Sequence, residues 1–346
     1  MSETFKVPIR NIFCLLSYAN DMPDLVKHFS DLDEDIITFD FLAKRFNQEV
    51  EKILRRGLLR NYVTTVEATN RLGGRMLINE SISLIMERKP LAVCEKDEYS
   101  SDILFNQIVK TTLEHIYRNK QVNESVRKKS YMLWEQLPEV SSIRLTKEIF
   151  IRITFNRLNQ NYKPVIHLAK LFHECKLLTH KSGNWNLFTV ELNDTALNSL
   201  FEKFLLRFYQ LEQNQYKVRS ERLNWNLNGN PLFLPTMQTD VSMQHKYKCK
   251  KIIIDAKFYK NIFQENFGKS TFHSGNMYQL FTYLMHQPDN LVVKGILVYP
   301  DNGYEVKETF HWDGRLSMEV MSINLDDSWM DIYHRLLEIV SEDNNY

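Results

Sequence analysis

The sequence predicts an α/β protein in two parts, an α+β half over residues 1–180 and an α/β domain over residues 185–346. Three observations lead there. The β-branched run Ile252-Ile253-Ile254, the helical spacing of Met277, Leu280, Phe281 and Leu284, and the continuous apolar run from Leu291 to Tyr299 give strand, helix and strand in succession. Such a unit pairs its strands in parallel through a right-handed crossover, and an unbroken apolar run marks a strand inside a sheet. In the first half, helical periodicities alternate with short strand-like runs. Between the halves, Thr179-His180-Lys181-Ser182-Gly183-Asn184 has the polar, glycine-containing composition of a boundary. A chain of 346 residues is long enough for two cores.

Val7 to Ala19 reads as a short buried helix with Pro8 near its first turn. Phe41 to Leu59 is an amphipathic helix, with Phe46, Val50, Ile53 and Leu54 on its apolar side and Arg55, Arg56 and Arg60 at its end. Residues 61–85 are expected to be β structure: Tyr62-Val63-Thr64-Thr65-Val66 and Arg75-Met76-Leu77-Ile78 form strands either side of Leu72-Gly73-Gly74. Helices follow over Ser101 to Asn119, Ser125 to Leu137 and Pro164 to Leu178, with irregular or strand-like sequence up to Ile153 before the last. Beyond the boundary, a helix starts near Asn193 or Asp194 and buries Leu197, Leu200, Phe201, Phe204, Leu205 and Phe208. Asp240 to Met243 and Lys251 to Phe258 are strands joined by the basic loop from Gln244 to Lys250. Strands over Glu305 to Trp312 and Met318 to Leu325 flank the turn Asp313-Gly314, and a helix from Ser328 to Val340 closes the chain.

A formal net charge of +1 names no partner, so a nucleic acid would have to be met by local basic patches. Cys14, Cys94, Cys175 and Cys249 are scattered and indicate neither a disulfide framework nor a zinc knuckle. The absence of a basic leader with an apolar core, and of a run long enough to span a bilayer, makes a soluble cytoplasmic protein with no membrane partner the expectation. His167, His173, Cys175 and His180 match no familiar zinc spacing. Phe267-Gly268-Lys269-Ser270-Thr271 ends like a phosphate-binding loop. Phe263, however, stands where that motif needs glycine, so no nucleotide hydrolysis by this chain is expected.

The chemistry concentrates between Asp240 and Lys257. On a strand, Asp255 and Lys257 share a face while Ala256 points away. With Asp240 on a neighbouring strand, the two carboxylates can share Mg²⁺, which takes oxygen ligands and needs only one or two carboxylates besides water and phosphate. Lys257 would then orient or activate the attacking water, or hold the phosphate. A solvated ion pair at a strand end has the same residues and is worth at most ~1 kcal/mol. Glu202 borders the buried stripe without a basic helical partner, and reads equally as a surface glutamate. Gln279 and Tyr283, one turn apart, can face one site or merely decorate a core helix. Lys246, Lys248, Lys250 and Lys251 offer countercharge to a DNA backbone, or are a solvated hairpin loop.

This order of residues resembles the PD-(D/E)xK nuclease core: Glu202 on a helix, Asp240 and Asp255-Ala256-Lys257 on strands, Gln279 and Tyr283 on the next helix. The whole chain is similar to the McrC family, nuclease subunits of the GTP-dependent McrBC modification-dependent restriction systems. The similarity runs through Val7-Pro8-Ile9-Arg10-Asn11-Ile12, Gly73-Gly74-Arg75, Thr239-Asp240-Val241, Asp255-Ala256-Lys257-Phe258-Tyr259 and Phe272-His273-Ser274-Gly275-Asn276-Met277-Tyr278-Gln279-Leu280. Thr239 departs from the proline that often precedes the first acid of the superfamily.

The resemblance implies a restriction-endonuclease-like domain with a mixed sheet over residues 185–346. In it, Asp240, Asp255 and the Ala256 carbonyl hold Mg²⁺ and Lys257 serves the water or phosphate. Glu202 is an outer acid of the metal site, and Gln279 orients Lys257 or the DNA strand. Lys246, Lys248, Lys250, Lys269 and Tyr283 are the candidate DNA contacts. It also implies that residues 1–180 bind and stimulate a ring-forming AAA+ GTPase, McrB-like, which binds the GTP and finds modified cytosine in double-stranded DNA. Gly73, Gly74 and Arg75 are the candidates for stimulating that partner. The alternative is an assembly or activator module for an AAA+ NTPase with little or no catalysis of its own.

Overall fold

The computed structural model describes residues 7, 9–27, 39–71, 73–120, 122–179, 194–258, 262–266, 269–301 and 305–341. His180 to Asn184 of the expected boundary, Leu72, Tyr259, Phe267 and Gly268 lie outside these. The chain separates into one compact unit of residues 35–174 and another made of residues 1–34 together with residues 175–346. Among the described residues, no helix is long and apolar enough to cross a membrane.

This division departs from the expected split at residue 180, and the first helix is the reason. Helix α1 (Ile9–Ala19) and the single turn α2 (Asp24–Lys27) belong with the C-terminal unit. Asn11, fully buried, donates from Nδ2 to the carbonyls of Leu325 at 2.6 Å and Asp327 at 3.0 Å. The Tyr18 hydroxyl donates to Glu212 Oε1 at 2.9 Å, and Tyr333 donates to the other oxygen of the same carboxylate at 2.8 Å. A buried amide and phenol need partners, and those of α1 come from the far end of the chain.

The unit of residues 35–174 contains α3 (Phe39–Arg56), β1 (Asn61–Thr69), β2 (Arg75–Met76), α4 (Ile78–Met86) and β3 (Ala92–Ser100). The helices α5 (Leu104–Arg118), α6 (Glu124–Glu135), α7 (Lys147–Ile151) and most of α8 (Lys163–Thr179) complete it. Its sheet is antiparallel in the order β1-β3-β2. The β structure expected up to residue 85 stops at Met76. Ile78, Ile82 and Ile85 recur at helical spacing, and α4 is pinned to β3 by Ser81, whose Oγ accepts from Val93 N–H at 2.9 Å. Gly74 has φ +72°, and a Cβ there would lie 2.1 Å from the Glu95 carbonyl oxygen, so the entry into β2 demands glycine. Buried Lys110 donates to the carbonyls of Leu137 at 2.7 Å and Val140 at 2.5 Å, closing the end of α6.

In the C-terminal unit, α9 (Asp194–Glu212) leads into β4 (Tyr216–Arg219), β5 (Arg222–Leu223), β6 (Met237–Gln238), β7 (Val241–His245) and β8 (Lys250–Ala256). The hairpin of β9 (Phe263–Asn266) and β10 (Lys269–Phe272) precedes α10 (Ser274–Met285), β11 (Val292–Pro300), β12 (Lys307–His311), β13 (Leu316–Ile323) and α11 (Trp329–Ser341). The main sheet is mixed, in the order β12-β13-β11-β8-β7-β4, with β8–β11 and β11–β13 parallel and the rest antiparallel. The β8–α10–β11 crossover expected from the apolar runs is therefore present. Ile253, Val293 and Leu297 pack with Leu280, Tyr283 and Leu284 of α10 in one core. Gly295 permits that approach: a Cβ there would stand 3.0 Å from Leu280 Cδ1 and 3.1 Å from Leu284 Cδ1.

Replacing Asn11 by alanine removes two buried bonds to carbonyls of the C-terminal segment. The expected result is a loss of about 1–3 kcal/mol in urea-unfolding stability. An unchanged midpoint would contradict the placement of α1 in this unit.

Candidate active site

The antiparallel register pairs Val241 with Ile254, which sets Asp240 opposite Asp255 at the open end of the β7–β8 hairpin. Like charges directly opposite on a sheet repel, so the surroundings must hold them there. Asp240 Oδ2 accepts the Ala256 N–H at 2.8 Å. The Lys257 N–H donates to the Val298 carbonyl at 2.9 Å, carrying the contact of β8 with β11 one residue further and fixing the root of the lysine. Lys257 Nζ lies 2.9 Å from Asp255 Oδ2 and donates to Gln279 Oε1 at 3.2 Å. Gln279 Nε2 in turn donates to the Tyr283 hydroxyl at 2.7 Å, and that hydroxyl donates to the Gln238 carbonyl at 2.8 Å. Because the carbonyl can only accept, the direction of every bond back to the lysine is set.

Two neighbours complete the frame. Thr239, in the place of a proline, donates its N–H to the Glu221 carbonyl at 2.9 Å and accepts the Glu221 N–H on Oγ1 at 3.1 Å. Proline has no N–H to give, so this pairing requires a residue other than proline at position 239. Asn198, on α9, accepts the Phe258 N–H on Oδ1 at 2.8 Å and donates from Nδ2 to Glu202 Oε1. One amide thus ties the chain beyond Lys257 to the helix and aims Glu202. Sequence reasoning passed over Asn198. Its polar amide, one turn before Glu202 on a helix with a phenylalanine-rich stripe, was the available signal.

The electrostatics are those of crowded acids. Burial pushes the Asp255 carboxyl up to about 7, opposed by the Lys257 ammonium and reinforced by Asp240 and Glu202. Asp240 is raised by burial, against the Ala256 N–H and Lys257. Glu202 is raised by burial and then by Asp240, and Lys257 and Asn198 pull it back. The Asp255 side chain is 1% exposed, and its Oδ1 has no hydrogen-bond partner among the described residues. One ammonium does not balance three carboxylates, and an orphaned buried carboxylate oxygen is a vacant ligand position for a hard cation. Among the described residues, no three His, Cys, Asp or Glu side chains gather as a ligand set. Two carboxylates with water would be enough for Mg²⁺, and Asp240 and Asp255 are the residues that could supply them.

Other expected residues fall elsewhere. Lys246, Lys248 and Lys250 stand at the turn end of the hairpin, and Lys250 is about 16 Å along β8 from Asp255 at the usual rise of a strand. Lys246 Nζ donates to the Asn214 carbonyl at 2.6 Å. Lys251, grouped with them as countercharge, is buried and bonded to Glu221 and, at 2.6 Å, to Gln287. Tyr283, expected at DNA, is 4% exposed and serves Gln279 instead. Lys269 is exposed on β10, and the residues after it form a strand where a phosphate-binding loop would start a helix. His167 and His173 pack edge to face or tilted against Phe155 and Phe150. Arg75 has a side chain 81% exposed, 3.8 Å from Glu95, while Gly73 and Gly74 shape the turn before it.

Fold and site together define a mixed α/β protein that gathers two carboxylates and a lysine at the open end of a hairpin inside a six-stranded sheet. The chain belongs to the McrBC 5-methylcytosine restriction system component family, whose model matches residues 6–300. It is 28% identical over 343 residues to the type IV methyl-directed restriction enzyme EcoKMcrBC of Escherichia coli strain K12, covering 97% of this chain and 98% of that one. Among solved structures it is similar to a half-complex from a tetradecameric assembly of Thermococcus gammatolerans McrB AAA+ hexamers with bound McrC, at 19% identity and TM-score 0.48, covering 96% of this chain and 76% of that one. A second, the cryo-EM structure of the Thermococcus gammatolerans McrBC complex, is 21% identical with TM-score 0.36 and 62% coverage of each chain.

Folded Asp255 keeps its proton up to about 7, whereas an unfolded aspartate releases it near 3.8. Above the lower value the native state therefore binds the extra proton, and stability of the metal-free protein falls as pH rises through the higher one. In chelator, the melting temperature of the wild type is expected to drop from about pH 5 to about pH 8 relative to Asp255→Asn, which lacks the titrating group. Parallel pH profiles for the two proteins would refute the burial argument.

Proposed function

We propose that this chain is the DNA-cleaving subunit of a GTP-dependent restriction complex directed to modified cytosine, and that it hydrolyses phosphodiesters with Mg²⁺. The observation that carries the reading is the bonded set Asp240, Asp255, Lys257 and Gln279 at the end of β8, in a member of this restriction family. Asp240 and Asp255 would hold the ion, with the Ala256 carbonyl as a further oxygen and Glu202 aimed from behind by Asn198. Bound there, Mg²⁺ supplies Lewis acidity to the phosphate and lowers the pKa of its water.

The protein's own part is placement. Asp255 and Gln279 hold the Lys257 ammonium where it can orient the attacking water or meet a phosphate oxygen as a point charge. Tyr283 and the Gln238 carbonyl keep the Gln279 amide turned with its oxygen to the lysine. Such preorganisation lets charge be stabilised without rearrangement at the moment of reaction.

The unit of residues 35–174 is the proposed binding and stimulating part for an AAA+ GTPase ring. Supporting this, Ile78, Ile82, Ile85 and Met86 of α4 and the tilted ring pair Tyr62 and Tyr99 are exposed. Apolar side chains left outside a unit's own core mark an interaction surface. Arg75, exposed on β2 beside α4, is the proposed stimulating residue. GTP binding and recognition of modified cytosine in double-stranded DNA belong to the partner.

Two substitutions separate these roles. With the AAA+ partner, GTP, Mg²⁺ and methylated plasmid, Asp255→Ala or Lys257→Ala is expected to lower cleavage at least about 100-fold while stimulated GTP hydrolysis stays at the wild-type level. Cleavage that survives either change would leave an activator module instead. Conversely, Arg75→Ala is expected to lower stimulated GTP hydrolysis at least about tenfold in a complex that still assembles on gel filtration; unaltered turnover would remove Arg75 from that role.

A further inference from the structure

Residues 224–238, between β5 and the first acid of the site, contain no charged side chain, in a protein with 87 charged Lys, Arg, Asp and Glu residues, 44 basic and 43 acidic. Asparagine recurs at every second position, Asn224, Asn226, Asn228 and Asn230, and is followed by Pro231-Leu232-Phe233. Leu232 is 76% exposed and Phe233 is 86% exposed, at the single 3-10 turn that forms the tip.

The tip is braced. Trp225 Nε1 donates to the Pro235 carbonyl at 2.6 Å, closing the base of the loop, and Leu232 N–H donates to Asn230 Oδ1 at 3.0 Å. Both ends are then fastened to α10 and its C-cap: His286 Nε2, just past the helix, lies 3.2 Å from the Trp225 carbonyl, and Tyr283 donates to the Gln238 carbonyl. That helix also carries Gln279, the partner of Lys257, and Asp240 follows Gln238 by two residues. The loop is thus rooted at the proposed cutting site, and its two apolar side chains are held out in water.

Its chemistry selects an occupant. A segment that tracks phosphates needs Lys or Arg, and this one has none. Asparagine amides carry both donors and acceptors, suited to the minor-groove edges of bases, and proteins that use that groove insert Phe, Leu or Pro between base steps. Resting on the nuclease reading, we infer that residues 224–236 form a minor-groove contact to the duplex being cut, with Leu232 and Phe233 as a wedge against the bases. Phosphate contacts would then come from elsewhere on the chain, and the wedge would open a base step beside the scissile bond.

The test uses the full chain, assembled with its AAA+ partner and GTP on labelled methylated duplex, with Ca²⁺ in place of Mg²⁺ to prevent cutting. Phe233→p-benzoylphenylalanine is expected to crosslink to DNA on illumination, and a minor-groove-filling drug is expected to abolish the adduct. A crosslink to a second copy of the chain, to the AAA+ partner or to nothing overturns the inference, as does an adduct indifferent to the drug. In Mg²⁺, the double substitution Leu232→Ser and Phe233→Ser is expected to slow duplex cleavage at least about tenfold, the loss of one stacked base contact, and wild-type cleavage overturns the wedge. Should the wedge fail while Asp255→Ala still abolishes cleavage, only this inference falls; cleavage by Asp255→Ala would instead remove the reading beneath it.

Discussion

A carboxylate taken almost wholly out of water, Asp255 at the end of the central strand β8, is the constraint to which the C-terminal unit answers. An ionised group in that position is costly unless charge or hydrogen bonds meet it. Lys257 meets one oxygen, and it is kept in place by a chain of bonds running through Gln279 and Tyr283 to a backbone carbonyl that cannot turn. Asp240, opposite, is held by the Ala256 N–H. What is left over is one buried carboxylate oxygen with no hydrogen-bond partner among the described residues.

The price of such a site is met by the rest of the sheet. Ile252, Ile253 and Ile254 are fully buried, and Gly295 lets Leu280 and Leu284 press α10 against β11. That close packing does more than bury apolar area, because α10 also carries Gln279 and Tyr283, and a helix standing off by an ångström would break the chain to Lys257. Here packing density and chemical geometry are one requirement seen at two depths.

Local patterns were legible and distant partnerships were not. The period-two placement of Asp255 and Lys257, the apolar run of β11 and the stripe of α9 follow from residues close in sequence. Asn198 has a local signal in its amide one turn before Glu202, but its partner Phe258 lies 60 residues away and only the fold brings the two together. Helix α1 was assigned to the wrong unit for the same reason: Asn11 finds Leu325 across 314 residues. The lysines of the β7–β8 loop were set beside the carboxylates by nearness in sequence, although a hairpin puts its turn and its open end at opposite extremes. Residues 61–85 read as β structure on Tyr62 to Val66 and Arg75 to Ile78 around the glycine pair, and the helical spacing of Ile78, Ile82 and Ile85 that makes α4 begins where those runs end.

The insertion of residues 35–174 between two parts of the other unit has a consequence for synthesis. A ribosome delivers α1 first, yet the carbonyls that receive Asn11 and the carboxylate that receives Tyr18 emerge only with residues 212–327. The inserted unit, residues 35–174, is synthesised whole before those partners emerge and can fold while α1 waits. The C-terminal unit is therefore the last part of the molecule to be finished, because it closes on its first helix only after the final strands have been made.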